Sequence, residues 1–320
     1  MIEIYGTLGP ACAAAETLER MLRLGMTGVR LNLSHMSLPE AAPMVEALHT
    51  AAARVGVSPR LLIDLQGPEL RIGALRAPLT LEAGTEIALE ALALPETLRA
   101  AIEPGQPLLL DDGKLLLEAS GPQRARVLRG GVLHSRKSVA LPGREIRLPA
   151  LTESDRANLA AAARFGVSGV MQPFVRGRED LEAVRAALPA GLRLFAKVES
   201  LAGVEKLEEL IAACDEIVIA RGDLGNAVPL WELPVLQKRI AAACRRAGRP
   251  FMVVTQMLAS MERSPVPTRA ELNDICNAVL DGAASVMLTG ETAAGAWPVE
   301  AMRYFVSTVR AAERFAGISG

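Results

Sequence analysis

The sequence predicts an α/β fold, a (β/α)8 TIM barrel with a small β-rich lid domain inserted after the third strand. Three observations carry this expectation. Eight short apolar runs are spaced along the chain, segments of helical periodicity lie between them, and one interval departs from that rhythm. The apolar runs fall near Ile2–Tyr5, Gly28–Leu33, Leu61–Leu65, Ser168–Pro173, Arg193–Glu199, Glu216–Ala220, Pro250–Thr255 and Ala284–Leu288. Each fits a parallel strand buried on both faces, apolar except where function intrudes.

The segments between them carry helix signals. Ala13–Leu24 is apolar at Leu18, Met21 and Leu22 and ends at Gly25, a residue suited to the left-handed turn after a helix. Thr152-Glu-Ser-Asp155 opens a helix that runs to Phe165 and Gly166. Glu208–Ala213, Val235–Ala247 before Gly248, and Arg269–Asp281 before Gly282 repeat the scheme. Eight βα units in series point to a closed barrel rather than an open sheet.

Between the third strand and Thr152 the texture changes. Pro78–Leu89, Pro107–Ala119 and Arg124–Val139 read as strands, punctuated by Gly84, Gly105, Gly113, Gly121 and the Gly130-Gly131 pair. The expected division is a discontinuous barrel, 1–71 with 145–320, and an inserted domain, 72–144. Insertion in the third βα loop places this domain at the barrel's C-terminal mouth, where active sites of this fold lie, so a lid is expected.

Composition excludes several classes. Half of the 320 residues are apolar and 22% are charged, which marks a soluble globular chain. A net charge of −1 and 3% aromatics argue against a nucleic-acid partner. Cys12, Cys214, Cys244 and Cys276 lie far apart without a CxxC pair, so neither a zinc site nor a disulfide framework is expected. No signal peptide and no apolar run long enough for a membrane span are evident, and the expected location is the cytoplasm.

The chemistry is concentrated at strand tips. Arg30, Asn32 and Ser34 share one face of their strand while Leu31 and Leu33 take the other. The third strand ends at Asp64, followed by Glu69 and Arg71; the fifth ends in Lys197-Val-Glu199, whose two charges share a face. The sixth ends in Arg221-Gly-Asp223-Leu-Gly225, the seventh in Thr255-Gln256, the eighth in Thr289-Gly-Glu291-Thr292. A lone buried Lys or Asp is ordinarily a satisfied ion pair, but six polar tips at one end of a barrel describe one active site.

These groups suit phosphoryl transfer. Glu199 and Asp223, from neighbouring strands, can share a hard divalent cation. Lys197 and Arg30 supply positive charge to a phosphoryl group in flight. Asn32, Ser34 and Asp64 form an oxygen cage for a monovalent cation, and Gly222 lets backbone N–H groups approach a substrate carboxylate. No P-loop or GxGxxG fingerprint is present.

The chain resembles the pyruvate kinase family. The resemblance rests on Gly6–Ala11 (GTLGPA), Arg30–His35 (RLNLSH), Asp64–Glu69 (DLQGPE), Leu110–Gly113 (LDDG), Ser135–Gly143 (SRKSVALPG), Lys197–Glu199 (KVE), Ala220–Gly225 (ARGDLG), Thr255–Met261 (TQMLASM), Pro267–Glu271 (PTRAE) and Met287–Thr292 (MLTGET), in family order from end to end. It implies that phosphoenolpyruvate and a nucleotide are substrates, with Arg30 and Lys197 on the phosphoryl group and Lys197 stabilising the transition state. Glu199 and Asp223 would hold Mg2+ or Mn2+. Asn32, Ser34, Asp64 and the carbonyl of Leu65 would hold K+, with Glu69 at the position that accompanies K+ dependence. Gly222 and Thr255 would contact the substrate, Thr255 near the carbon where the enolate is protonated. His35, Arg71 and Lys137 would face the nucleotide phosphates.

The family normally carries a further C-terminal α/β domain with allosteric sugar-phosphate sites. The expectation from this sequence is its absence, no activation by sugar phosphates, and a homodimer through the barrel around Val228–Ile240. Departures from the family pattern lie on the nucleotide side: Leu65-Gln66 where Thr-Lys is usual, Met36 where Gly follows the His, and Glu40 where an aromatic is expected. Ser200 and Thr289 are milder changes. Three readings follow: a pyruvate kinase transferring to ADP, a divergent enolpyruvate enzyme with another acceptor or reaction, and a catalytically silent phosphoenolpyruvate-binding protein. The retained cluster of charges argues against the last.

Overall fold

The computed structural model describes residues 1–34, 36–111, 113–144 and 148–317. Among these, eight parallel strands close into a barrel: β1 (Glu3–Thr7), β2 (Gly28–Asn32), β3 (Arg60–Asp64), β4 (Gly169–Gln172), β5 (Arg193–Val198), β6 (Glu216–Ala220), β7 (Phe251–Val254) and β8 (Ser285–Met287). Each pairs with its neighbours in sequence, and β1 closes on β8 with Glu3 opposite Ser285. A helix follows each strand: α1 (Ala15–Leu24), α2 (Ala42–Val55), α3 (Glu153–Ala161), α4 (Arg178–Ala187), α5 (Leu207–Ala213), α6 (Leu233–Arg246), α7 (Arg269–Leu280) and α8 (Pro298–Phe315). The fold is a (β/α)8 barrel. No helix among the described residues is long and apolar enough to cross a membrane.

Strand alternation sorts the side chains into two cores. Ile4, Val29, Leu31, Ile63, Val170, Leu194, Ile217, Val253 and Val286 point outward and join a large apolar layer with the helices. Tyr5, Leu62, Met171, Phe195, Val218, Met252 and Met287 fill the barrel itself. Room for the two rings comes from missing side chains: a Cβ on Gly28 would lie 2.5 Å from the Tyr5 ring, and one on Gly169 would lie 2.7 Å from the Phe195 ring. Those positions are glycine because the barrel interior has no spare volume.

Strand β5 shows the barrel's layering on a single face. Arg193, Phe195 and Lys197 follow one another inward-facing, from the N-terminal end to the C-terminal end. At the N-terminal end Arg193 pairs with buried Glu216 and, at 3.3 Å, with Glu3. Glu3 also takes Arg60 at 2.9 Å and the Tyr5 hydroxyl at 2.5 Å, while Ser285 donates to Glu216. The middle is apolar. The C-terminal end is again charged.

Two compact units divide the chain, Met1–Gly67 with Ala150–Gly320, and Pro68–Pro149. The second unit has a five-stranded antiparallel sheet in the order Val139–Ala140, Pro107–Leu110, Leu115–Gly121, Arg124–Arg129, Glu86–Ala88. A two-stranded sheet pairs Leu79–Leu81 with Gly131–Leu133. Ile72, Leu81, Leu108, Leu117, Val127 and Leu133 contribute to a core of its own.

Candidate active site

All eight strands run parallel, so their C-terminal tips gather at one end, and the described sequence-flagged residues of the first unit lie on or just after those tips. Asp64, at the tip of β3, is buried and central. One of its oxygens, Oδ2, accepts from Arg30 Nε at 2.9 Å, from Arg30 Nη2 at 2.7 Å, and lies 3.1 Å from Lys197 Nζ. Lys197 Nζ is also 2.9 Å from Glu199 Oε1, and Glu199 Oε2 accepts the Phe174 N–H at 2.7 Å. Thus the tips of β2, β3 and β5 build one ion cluster, with Asp64 joining Arg30 to Lys197 and Lys197 joining Asp64 to Glu199.

The electrostatics follow from burial. Burial disfavours charge on Asp64, but Lys197 and Arg30 outweigh it and hold its carboxyl below the usual value. Lys197 loses hydration too, yet Asp64 and Glu199 keep its ammonium charged well above the ordinary lysine range. Glu199 moves the other way: burial, reinforced by the negative charges of Asp223 and Asp64 and only partly offset by Lys197, pushes it up to about 8. Asp64 and Glu199 thus share the Lys197 ammonium, and the charge of Asp223 acts on Glu199 as well.

Glu199 and Asp223 supply the carboxylate oxygens a hard divalent ion takes, and the raised Glu199 carboxyl is what such an ion would relieve. Asp64 Oδ1 is buried and, among the described residues, has no hydrogen-bond partner, an orphaned acceptor beside Asn32 that suits a monovalent cation. Among the described residues no group of three or more His, Cys, Asp or Glu forms a self-sufficient metal site.

Three tips differ in detail from the expectation. Strand β2 ends at Asn32, and Ser34 lies in the following turn, its N–H donating to Asn32 Oδ1 at 3.0 Å. The Asn side chain ends the ladder by offering the backbone a local partner. Glu199 lies just past β5. The segment expected as the tip of the sixth strand is instead a short helix, Arg221–Ala227, with Asp223 in its first turn.

That helix touches the tip of β7. A Cβ on Gly222 would lie 3.0 Å from Thr255 Cγ2, so any side chain at 222 would have to push the Thr255 methyl aside. Thr255 and Gln256 both have positive φ, 75° and 55°. Arg221, which the sequence did not single out as a site residue, is buried; it pairs with Asp274 at 2.7 Å and donates to the Thr255 carbonyl.

Other groups were equally unflagged. Thr7 Oγ1 lies 3.4 Å from Arg30 Nη1, and Asp155, on α3, accepts from the backbone of Gln66 and Gly67. Asp155 carries a capping signal in the sequence, and nothing there marks its second use. Leu65 is buried and donates its N–H to Met171 O at 3.1 Å.

Arg71 and Lys137 belong to the second unit. Arg71 pairs with Glu69 at 2.8 Å and donates to Arg136 O at 2.9 Å, while Lys137 pairs with Asp111 at 2.9 Å. His35 lies outside the described residues. At the altered position 40, the Glu40 carboxylate accepts from the Ser37 N–H at 2.6 Å and hydroxyl at 2.7 Å, closing a local turn.

Comparison with known proteins agrees with this architecture. The family model described as pyruvate kinase, barrel domain, matches residues 1–302. The pyruvate kinase of Geobacillus stearothermophilus is 36% identical over 322 residues, covering 94% of this chain and 55% of the relative. That of Aeropyrum pernix is 39% identical over 316 residues, with 95% and 69% covered. Pyruvate kinase PKLR of Homo sapiens is 36% identical over 340 residues, with 97% and 59% covered. The chain thus spans little more than half the length of the Geobacillus and human relatives. By its barrel and by this match over residues 1–302, the chain belongs to the pyruvate kinase family.

Proposed function

We propose that this chain is a phosphotransferase that moves the phosphoryl group of phosphoenolpyruvate to ADP, giving pyruvate and ATP. The observation that carries the reading is the Arg30–Asp64–Lys197–Glu199 cluster, two largely enclosed cations alternating with two buried carboxylates through contacts of 2.7, 3.1 and 2.9 Å at the barrel's C-terminal end. Family membership and the relatives' shared name support it.

In this reading Arg30 and Lys197 bind the phosphoryl oxygens, exchanging part of their hold on Asp64 and Glu199 for the incoming anion. The bond from phosphorus to the enol oxygen breaks, a bond to the terminal phosphate oxygen of ADP forms, and Lys197 follows the charge that develops between them. The enolate left behind takes a proton, supplied by water, at its terminal carbon beside Thr255. Gly222 leaves room for backbone N–H groups at the substrate carboxylate. Glu199 and Asp223 would hold Mg2+ or Mn2+, which supplies Lewis-acid polarisation of the substrate oxygens when bound. Asn32, Ser34, Asp64 and the Leu65 carbonyl would hold K+.

Arg71, Lys137 and His35 are assigned to the nucleotide phosphates on their motifs, and the inserted segment 72–144 to a lid. A homodimer through the barrel is part of the same proposal, supported by Leu230 and Trp231, which stand 71% and 78% exposed ahead of α6. A monomeric mass in light scattering would remove it. A cytoplasmic location fits the same reading.

The test is pyruvate release from phosphoenolpyruvate with Mg2+ and K+, with and without ADP. ADP-dependent turnover at roughly 1–100 per second is the expected result. Phosphoenolpyruvate binding without ADP-dependent turnover would transfer the assignment to an enzyme with another acceptor, the reading that positions 36, 40, 65 and 66 would then explain.

A further inference from the structure

Asp155 does more than cap its helix. Its carboxylate is fully buried and forms the capping box of α3, accepting from Thr152 N at 2.9 Å and Thr152 Oγ1 at 2.8 Å through Oδ2. A cap needs no more than this. Yet Oδ1 also accepts the Gln66 N–H at 2.8 Å, and Oδ2 the Gly67 N–H at 3.0 Å, from donors 89 and 88 residues upstream. The carboxylate therefore gathers four donors, two of them from the loop that leaves strand β3.

The Gln66 N–H and the Leu65 carbonyl belong to one peptide plane. A trans peptide is flat, so its N–H and C=O point in opposite directions. Fixing the N–H on Asp155 fixes the carbonyl on the opposite side of that plane, and a negative partner on the N–H polarises the carbonyl toward greater negative charge. Neighbouring contacts leave the plane little freedom. The Leu65 N–H is held by Met171 O at 3.1 Å, and the Asp64 carbonyl accepts the Leu33 N–H at 2.9 Å. Gly67 has φ +57°, and a Cβ there would lie 2.6 Å from Pro173 Cγ, so the loop packs closely against Pro173 at a position that favours glycine.

The identity of residue 65 makes the plane's direction matter. Its side chain is a buried leucine with no ligand atom, so its carbonyl is the only oxygen that position can offer. We propose that Asp155 is the positioning residue that aims the Leu65 carbonyl into the monovalent-cation cage formed with Asn32, Ser34 and Asp64. This rests on the cage assigned under the proposed function. Asp155 touches neither the cation nor the substrate in this role; it acts through the backbone, as outer-shell partners do at other ion sites.

The experiment is a KCl titration of the full chain at constant ionic strength, balanced with choline chloride and read as the shift in melting temperature. A parallel MgCl2 titration is run on the same variants. Asp155→Asn is expected to raise the half-saturating K+ concentration tenfold or more, the usual cost of losing such a partner, while changing that of Mg2+ less than twofold. Thr152→Val removes the helix cap but leaves the bonds from Asp155 to Gln66 and Gly67; it should leave the K+ value within twofold of wild type.

Should Asp155→Asn not fold, Asp155→Glu takes its place, since it keeps the charge and displaces the carboxylate, with the same expected rise. An unchanged K+ value, or equal weakening of K+ and Mg2+, overturns the positioning role. A wild-type protein indifferent to K+ overturns the cage itself, so the two failures are distinguishable.

Discussion

Arg221 holds the carbonyl oxygen of Thr255 from two nitrogens, Nε at 3.2 Å and Nη2 at 2.8 Å, and Thr255 stands at φ 75°. A β-branched residue in the left-handed region costs on the order of 1–3 kcal/mol and persists only where its surroundings over-determine it. Arg221, itself braced by Asp274, is one such determinant, and the close approach of Gly222 is another. The strain is therefore local to the tip where β7 meets the helix bearing Asp223.

Relieving that strain separates stability from activity. Thr255→Gly removes the steric conflict at positive φ and the hydroxyl together. Its melting temperature is expected to rise by about 1–2 °C, or at least not to fall, while turnover falls tenfold or more. A fall in both would place the strain elsewhere.

Lys197→Met should be far more damaging. It removes the cation shared by Asp64 and Glu199 and leaves both buried carboxylates without it. Turnover is expected to fall on the order of 10³-fold, by analogy with other phosphoryl-transfer cations. Stopped assays of pyruvate release read this directly, and a rate near that of the wild type would remove Lys197 from the chemistry.

The raised Glu199 carboxyl gives a pH dependence to divalent binding. A group pushed up to about 8 must lose its proton before it can serve as a ligand. The affinity for Mg2+ should rise about tenfold between pH 6 and pH 7 and level off above about pH 8. Calorimetric titration of Mg2+ across this range checks the slope. Glu199→Gln should bind more weakly and lose the slope.

At the opposite end of the barrel, Glu216 predicts a pH dependence of stability rather than of binding. Burial pushes its carboxyl up to about 7, despite Ser285 and Arg193, with Glu3 adding to the rise and Arg60 opposing it. A raised folded-state value contributes stability that is fully present below the ordinary value of 4.5 and is lost as pH rises through about 7. Glu216→Gln should flatten that part of the stability profile, worth up to ~3 kcal/mol, while leaving turnover near wild type. Melting temperatures of both proteins from pH 5 to pH 8 would show it.

The barrel strands were legible because a buried parallel strand is a short apolar run, and Gly25, Gly166, Gly248 and Gly282 mark where helices hand back to strands. The ion cluster was legible for the same geometric reason: Lys197 and Glu199 two apart, and Arg30 and Asn32 two apart, must share a face. The N-terminal ring of Glu3, Arg193, Glu216 and Ser285 was not. A charge at the start of a strand looks like the end of a loop, and only barrel closure brings these four together. The second reach of Asp155 and the grip of Arg221 on Thr255 were hidden too, because each joins backbone groups far away in sequence or across a turn whose conformation no spacing reveals.

The two ends of the segment that interrupts the barrel are tied on the barrel side. Asp155 receives the N–H groups of Gly67, where the chain departs, and of Thr152, just after it returns, and Gln172 Nε2 donates to Ala150 O at 2.8 Å. This bears on the order in which the chain folds. Pairing of β1 with β2 and of β2 with β3 joins neighbours across short crossovers, as do the pairs from β4 onward, whereas Leu62 must find Gly169 across the whole interruption. The entropy of closing a loop grows only logarithmically, about 0.6 kcal/mol for each doubling, so the detour is tolerable in equilibrium but late in time. Two seams are therefore expected to close late: β1 against β8, whose partners are farthest apart in sequence, and β3 against β4, separated by the interruption and stitched by one buried carboxylate.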